Sequence, residues 1–116
     1  MNGLFFSNIA QSSGVDPRYP VIIMPNPTLI SNNHCVYTNL SDIAIDDTTP
    51  YKQLDFQFEC DSEHIDLEII KSGRKTQLRI CPINSQAEDT ILHVTVTDLD
   101  GFTTKKDITL KVDETI

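Results

Sequence analysis

The stretch ILHVTVTDLDGFTTKKDITLKV, residues 91–112, contains two alternating runs separated by a turn. Apolar side chains occupy every second position of the runs at Leu92, Val94, Val96, Ile108, Leu110 and Val112. A period of two places alternate side chains on one face of a β-strand. The residues between the runs, 98–101, read Asp-Leu-Asp-Gly, a composition typical of tight turns. This stretch therefore predicts two half-buried strands joined by a turn.

The same period recurs upstream, from Leu40 onward. Four further alternating segments lie at 43–45, 54–58, 67–69 and 78–80. Turn-forming residues separate these segments, and no window of about ten residues has helical apolar spacing without Pro or Gly. Short strands with turns every 8–12 residues or so are typical of sandwiches. The sequence therefore predicts an all-β fold, an antiparallel two-sheet β-sandwich of about seven strands.

The first 39 residues have a different composition. They hold four of the six prolines, Pro17, Pro20, Pro25 and Pro27. Because proline fixes φ and lacks a backbone donor, regular helix is nearly excluded here. The apolar residues 21–24 lie between prolines, which suits a short edge strand or an extended arm. We therefore divide the chain into an extended N-terminal arm or edge strand, 1–39, and a sandwich, 40–116.

Residues 91–112 resemble the F–G hairpin of bacterial Ig-like surface modules, especially the cadherin-like (dystroglycan-type) and PKD-type β-sandwich group. The V-T-V-T-D strand end, the D-G turn, the Thr-rich residues after it and the final alternating strand carry the likeness. The segments SDIAIDDTTPYKQLDFQFEC, 41–60, and DLEIIKSGRKTQLRICP, 66–82, fit the opening of such a module. The likeness covers about residues 40–113. It implies an Ig-like sandwich at the cell surface or outside the cell, often with calcium at its ends.

The charge balance limits the partners of the chain. Seventeen acidic residues against nine basic ones give a net charge of −8. Nucleic-acid binding depends on Lys and Arg that neutralise phosphates, so a nucleic-acid partner is not expected. No stretch approaches the roughly 20 apolar residues of a membrane-spanning helix. The opening residues also lack the pattern of a secretory signal, which leaves a cytoplasmic chain or a piece of a larger protein.

Three cysteines, Cys35, Cys60 and Cys81, cannot all pair with one another, and none has a metal-binding spacing. Three reduced thiols are the simpler interpretation, and one disulfide with a free thiol stays open. Cys60 shares the parity of Phe56 and should face the core. Cys81 has the opposite parity to Ile80, so a bridge between Cys60 and Cys81 needs a break in register.

Four acidic residues form a candidate metal site: Asp46, Asp47, Asp98 and Asp100. The first two follow the first alternating segment, and the other two lie in the turn of 91–112. Counting antiparallel strands places both loops at one end of the sandwich. Calcium prefers six to eight oxygen ligands, of which such carboxylates could supply several. The alternative is that Asp98 caps its turn by accepting backbone N–H bonds while the others are solvated.

Catalytic motifs are not found in the sequence. There is no G-x-S-x-G elbow, P-loop, H-E-x-x-H or dinucleotide fingerprint. The histidines, His34, His64 and His93, share no ligand spacing, and parity places His93 on the solvent face of its strand. From these observations we expect that the chain is not an enzyme.

The sequence and the resemblance together predict a non-catalytic structural or binding module of a bacterial surface or secreted protein, with calcium as its candidate cofactor. Its partner would be another protein, a neighbouring domain or, less favoured, a glycan. A glycan is less favoured because Trp is absent, and the aromatic platforms are limited to Tyr19, Tyr37, Tyr51 and Phe102.

A second hypothesis is a small stand-alone virion or secretion-apparatus assembly subunit, which would oligomerise through the arm of residues 1–39. The initiating Met, the lack of a signal and the unpaired cysteines favour it, and it goes with a cytoplasmic location.

Overall fold

The computed structural model describes residues 19–114, which form nine β-strands and two short 3-10 turns with no α-helix among them. The strands are β1 Val21–Ile22, β2 Thr28–Ile30, β3 Val36–Asn39, β4 Ala44–Ile45, β5 Asp55–Cys60, β6 Ile65–Ser72, β7 Lys75–Pro82, β8 Thr90–Thr97 and β9 Thr103–Val112. The 3-10 turns are Leu40–Asp42 and Tyr51–Gln53. The all-β prediction is confirmed. This part of the chain has no helix of the length and apolar character that crossing a bilayer requires.

The strands lie in three sheets. A four-stranded sheet has the order β2-β9-β8-β5, a three-stranded sheet the order β3-β7-β6, and β1 pairs with β4. The pairing of β2 with β9 is parallel, and the other pairings are antiparallel. One hydrophobic core contains side chains from both larger sheets. The two larger sheets therefore share one core, and their arrangement is sandwich-like.

The hairpin of β8 and β9 lies at the centre of this core. Leu92 is paired with Ile108, and this register is kept along the whole of β8. Five apolar side chains of the hairpin are completely buried: Leu92, Val94, Val96, Ile108 and Leu110. The predicted buried face of residues 91–112 is therefore confirmed.

Two apolar residues lie at the surface, although the alternating pattern placed them on the buried face of their strands. Ile45 is 51% exposed because the 3-10 turn before it leaves Ile43 in a helical conformation, which breaks the alternation. Ile43 and Ala44 are consecutive in the chain and both are buried. Ile69 is 45% exposed because β6 is an edge strand whose burial decreases toward its hairpin end.

The described part of the N-terminal segment, residues 19–39, contributes three strands to the sheets. β2 is an edge strand of the four-stranded sheet, and β3 is an edge strand of the three-stranded sheet. Since β3 ends at Asn39, the three-stranded sheet begins before residue 40. Residues 1–18 of the predicted arm lie outside the described residues.

Cys35 and Cys81 form a disulfide, and Cys60 is a free thiol. The preferred interpretation of three reduced cysteines is therefore wrong. The antiparallel register pairs Val36 with Ile80, so one further step places Cys35 opposite Cys81, with their Cα atoms 4.2 Å apart. Cys81 is buried, but it is not a member of the core cluster that contains Ile80, in agreement with their opposite parity. Cys60 packs against the core, as expected.

Candidate functional site

A cleft of about 400 Å³ is lined by described residues. It is bounded by the 3-10 turn Tyr51–Gln53, the start of β5 and the hairpin of β6 and β7. Its apolar lining consists of Leu40, Leu54, Phe56 and Ile69. Its polar and aromatic lining includes Tyr51, Lys52, Asp55, Lys71, Arg74 and Thr76. We refer to it as the Tyr51 cleft.

A 3-10 turn on one side and a tight hairpin on the other fix the backbone that borders the Tyr51 cleft. Pro50, in an extended conformation, begins the 3-10 turn, and its carbonyl accepts the N–H of Gln53 at 2.8 Å. On the other side, Ser72 pairs with Lys75 across a two-residue loop. The first loop residue, Gly73, has φ +61°, a value that suits glycine because it has no Cβ. Arg74 is therefore presented at the tip of a tight hairpin.

The cleft is positively charged although the chain is acidic. Lys52, Lys71 and Arg74 line it together with one carboxylate, Asp55. None of the three cations makes an ion pair with any residue in 19–114. A smaller cleft of about 150 Å³ shares Tyr51 and Thr76 with the first and is lined by a fourth cation, Lys75. The arrangement is suited to an anionic ligand that also has apolar surface.

A second constellation surrounds His93 on the outer face of the four-stranded sheet. Its Nδ1 lies 2.7 Å from Oδ1 of Asp107, and its Nε2 lies 2.7 Å from Oδ1 of Asp61. The hydrogen bond with Asp107, and then that with Asp61, raises the pKa of His93. Since both ring nitrogens donate to carboxylates when the ring is protonated, neither is left for proton transfer to a substrate. The imidazolium instead connects β8, β9 and the loop between β5 and β6.

We expect this connection to make stability depend on pH. The pKa of His93 in the folded protein lies above its unfolded value of about 6.5, so its contribution is complete below that pH. The contribution is lost as the pH rises through the folded-state pKa. His93→Gln should therefore reduce the free energy of unfolding most at acidic pH and least at alkaline pH. Urea denaturation over a pH series, with NMR titration of His93, measures this, and a His93 pKa at or below 6.5 would contradict it.

The predicted metal-site residues Asp46 and Asp47 follow β4. One carboxylate oxygen of Asp46 accepts the backbone N–H groups of Thr48 at 3.3 Å and Thr49 at 2.9 Å. Its other oxygen is buried without a hydrogen-bond partner, whereas Asp47 is exposed. The Asp46 side chain therefore stabilises the turn that follows β4.

The other two predicted residues, Asp98 and Asp100, lie in the turn between β8 and β9. Asp98 is buried, and its Oδ1 accepts the N–H groups of Asp100 and Phe102, both at 2.9 Å. This is the turn-capping arrangement that we considered as the alternative. Its Oδ2 is buried without a partner. Within residues 19–114 no three His, Cys, Asp or Glu side chains form a group that could hold a metal ion, so calcium binding stays a prediction.

Replacement of Asp98 should show how much the cap contributes. Asp98→Ala leaves two N–H groups without their acceptor, which should lower the free energy of unfolding by about 1–3 kcal/mol. Asp98→Asn keeps a side-chain oxygen and should cost less. The exposed Asp100→Ala in the same turn should change stability by no more than about 0.5 kcal/mol. Urea denaturation of the three variants measures the differences, and equal effects of the two alanine variants would argue against a cap.

Comparison with known proteins gives a likeness in fold and not in family. No protein-family model matches the chain, and no curated protein matches it in sequence. Among solved structures, the chain is similar to an endo-fucoidan hydrolase from glycoside hydrolase family 107, with a TM-score of 0.52 and 17% identity over 89% of this chain. It spans 15% of the length of that enzyme chain. At this identity the likeness shows the fold alone.

This likeness corrects the expectation that the chain is not an enzyme. That expectation was drawn from missing motifs, and it is wrong because a similar fold is found within the chain of a glycoside hydrolase. The absence of familiar catalytic motifs therefore does not separate this sequence from enzymes.

Proposed function

We propose that the chain is an Ig-like β-sandwich module of a larger bacterial surface or secreted protein, in which it acts as a structural and binding unit. The observation that carries the proposal is the order of the strands. In Ig-like sandwiches strands B, E and D lie in one sheet and G, F and C in the other. The orders β3-β7-β6 and β9-β8-β5 agree with this arrangement when β3 corresponds to strand B.

Two further observations support the proposal. Disulfides persist mainly in oxidising compartments, so the bond between Cys35 and Cys81 favours a surface or secreted protein. The fold likeness to a segment that makes up 15% of an endo-fucoidan hydrolase chain supports a module within a larger protein, and a polysaccharide-acting enzyme is one class of parent.

The native protein can be located with an antiserum raised against this chain. After fractionation of the source cells, the proposal predicts a band larger than the chain itself in the surface or medium fraction. A chain-sized protein in the cytoplasm would contradict the proposal. A chain-sized protein found in a high-mass assembly would instead support the assembly-subunit hypothesis.

Calcium stabilisation is part of the proposal. Asp46 and Asp98 each keep a buried carboxylate oxygen without a partner, and an added cation could engage these atoms. Millimolar calcium well above its dissociation constant should stabilise the fold by roughly 2–3 kcal/mol and raise the melting temperature by several degrees. Asp98→Asn should reduce that rise. No shift in melting temperature together with no heat in calorimetry rejects calcium binding.

A further inference from the structure

We propose that the Tyr51 cleft binds an acidic saccharide, a sugar chain that bears sulfate or carboxylate groups. The inference goes beyond the proposed function, which names no ligand other than calcium, and it rests on the residues of the cleft.

Positive charge is concentrated around the Tyr51 cleft. Four of the nine basic residues of the chain line the Tyr51 cleft or the smaller cleft beside it: Lys52, Lys71, Arg74 and Lys75. All four are exposed, and none makes an ion pair within the described residues. By contrast, Arg79 on β7 is paired with Glu68 at 2.6 Å. The cleft therefore presents uncompensated cations in a protein of net charge −8.

These cations come from separate segments that border the cleft. Lys71 lies near the end of β6, and Arg74 lies at the tip of the hairpin that follows. Lys52 lines the same cleft from the 3-10 turn that bounds it. A guanidinium group donates two parallel hydrogen bonds to a carboxylate or sulfate, and an ammonium group adds a point charge. An acidic group in the cleft would thus be held from both sides.

The cleft also has apolar surface beside its charges. Tyr51 is half-buried against the core, and it lines both clefts. Ile69 keeps 45% of its surface exposed and lines the Tyr51 cleft. A sugar ring has an apolar C–H face that can pack on such side chains, as in sites that combine apolar lining with a few polar groups. A bare inorganic anion would leave this surface unused.

The carboxylate of Asp55 favours a saccharide over a polyphosphate chain or a nucleic acid. It lines the same cleft, where it would accept hydrogen bonds from the hydroxyls that a sugar chain carries between its acidic groups, whereas a phosphate chain offers it only negative charge. The cleft volume of about 400 Å³ lies within the range of roughly 300–1,000 Å³ found for small-ligand sites. A short segment of a sugar chain fits these requirements.

Isothermal titration of the full chain with a sulfated dextran oligosaccharide tests the proposal, with unsulfated dextran of the same length as the comparison. We expect the sulfated ligand to bind, and the neutral one to bind at least about tenfold more weakly, because charge-assisted hydrogen bonds are lost. Lys71→Gln combined with Arg74→Gln should weaken binding of the sulfated ligand to a similar extent. Both residues are exposed, so the double variant should fold normally.

The matched control removes the same charge from an exposed part of β9, by Lys105→Gln with Lys106→Gln. This variant should bind almost as tightly as the unaltered protein. An equal loss in both double variants would show diffuse electrostatic attraction and overturn the proposal. Absence of binding to the sulfated ligand would do the same. Equal or tighter binding of oligoglutamate would assign the cleft to an acidic peptide. None of these outcomes bears on where the protein is located, so the two proposals fail separately.

Discussion

Replacement of Leu92 by alanine is expected to lower the free energy of unfolding by about 2–5 kcal/mol. Leu92 is completely buried at the centre of the four-stranded sheet, between Cys60 on β5 and Ile108 on β9. The substitution removes apolar area from the core and leaves a cavity that two paired neighbours cannot easily close. Since a domain of this size is stabilised by only about 5–15 kcal/mol, the loss is a large part of the total.

Leu99→Ala is the matched control for this prediction. Leu99 lies in the turn after β8 and is 67% exposed, so the same chemical change should alter stability by no more than about 0.5 kcal/mol. Urea denaturation followed by far-UV circular dichroism measures both variants. If the two leucine variants lost similar amounts of stability, Leu92 would not lie in the core and the pairing of β8 with β9 would be incorrect.

The hairpin of β8 and β9 could be predicted from the sequence because its information is local. Alternation gives the buried face, and the turn at Asp98 fixes which residues lie opposite each other. The same register places Asp107 opposite His93, so the contact of His93 with Asp107 was predictable from the sequence. Asp61 was not, because it comes from the loop after β5 and reaches His93 only in the folded chain.

Elements that depend on distant pairing could not be predicted. β2 and β3 are short, lie among prolines and asparagines, and are ordered by their partners β9 and β7. Because β3 was not expected, the position of Cys35 opposite Cys81 could not be foreseen. The break of alternation at Ile43 has a related cause, since a 3-10 turn in this segment has no strong sequence signal.

The Tyr51 cleft could not be predicted from the sequence either. Lys71 and Arg74 belong to a segment that looks like an ordinary turn, and Lys52 lies about 20 residues before them in another segment. Only the packing of β5 and β6 against the core brings these cations around one opening. The predicted metal site is the converse. Its four aspartates could be found in the sequence, but the carboxylates of Asp46 and Asp98 accept backbone N–H groups of their own turns.

Loss of the disulfide is the second large effect that we expect. Cys35 and Cys81 are separated by 46 residues, and a bridge that closes a loop of this size stabilises the fold by about 4 kcal/mol through the entropy of the unfolded chain. The closed loop includes β3 to β6 and most of β7, so more than half of the sandwich would lose this constraint. The variant Cys35→Ala with Cys81→Ala should therefore unfold at a much lower urea concentration.

Cys60→Ala is the control, because Cys60 is a half-buried free thiol whose replacement removes one small side chain and no cross-link. Its effect should be well below that of the double variant, and reducing agent should shift its unfolding midpoint but not that of the double variant. Alkylation of the denatured, unreduced protein should label one cysteine, and alkylation after reduction should label three. Three labels without reduction in protein isolated from its native compartment would remove both the bridge and the argument from it for an oxidising location, and the secreted-module proposal would then depend on strand order and fold likeness.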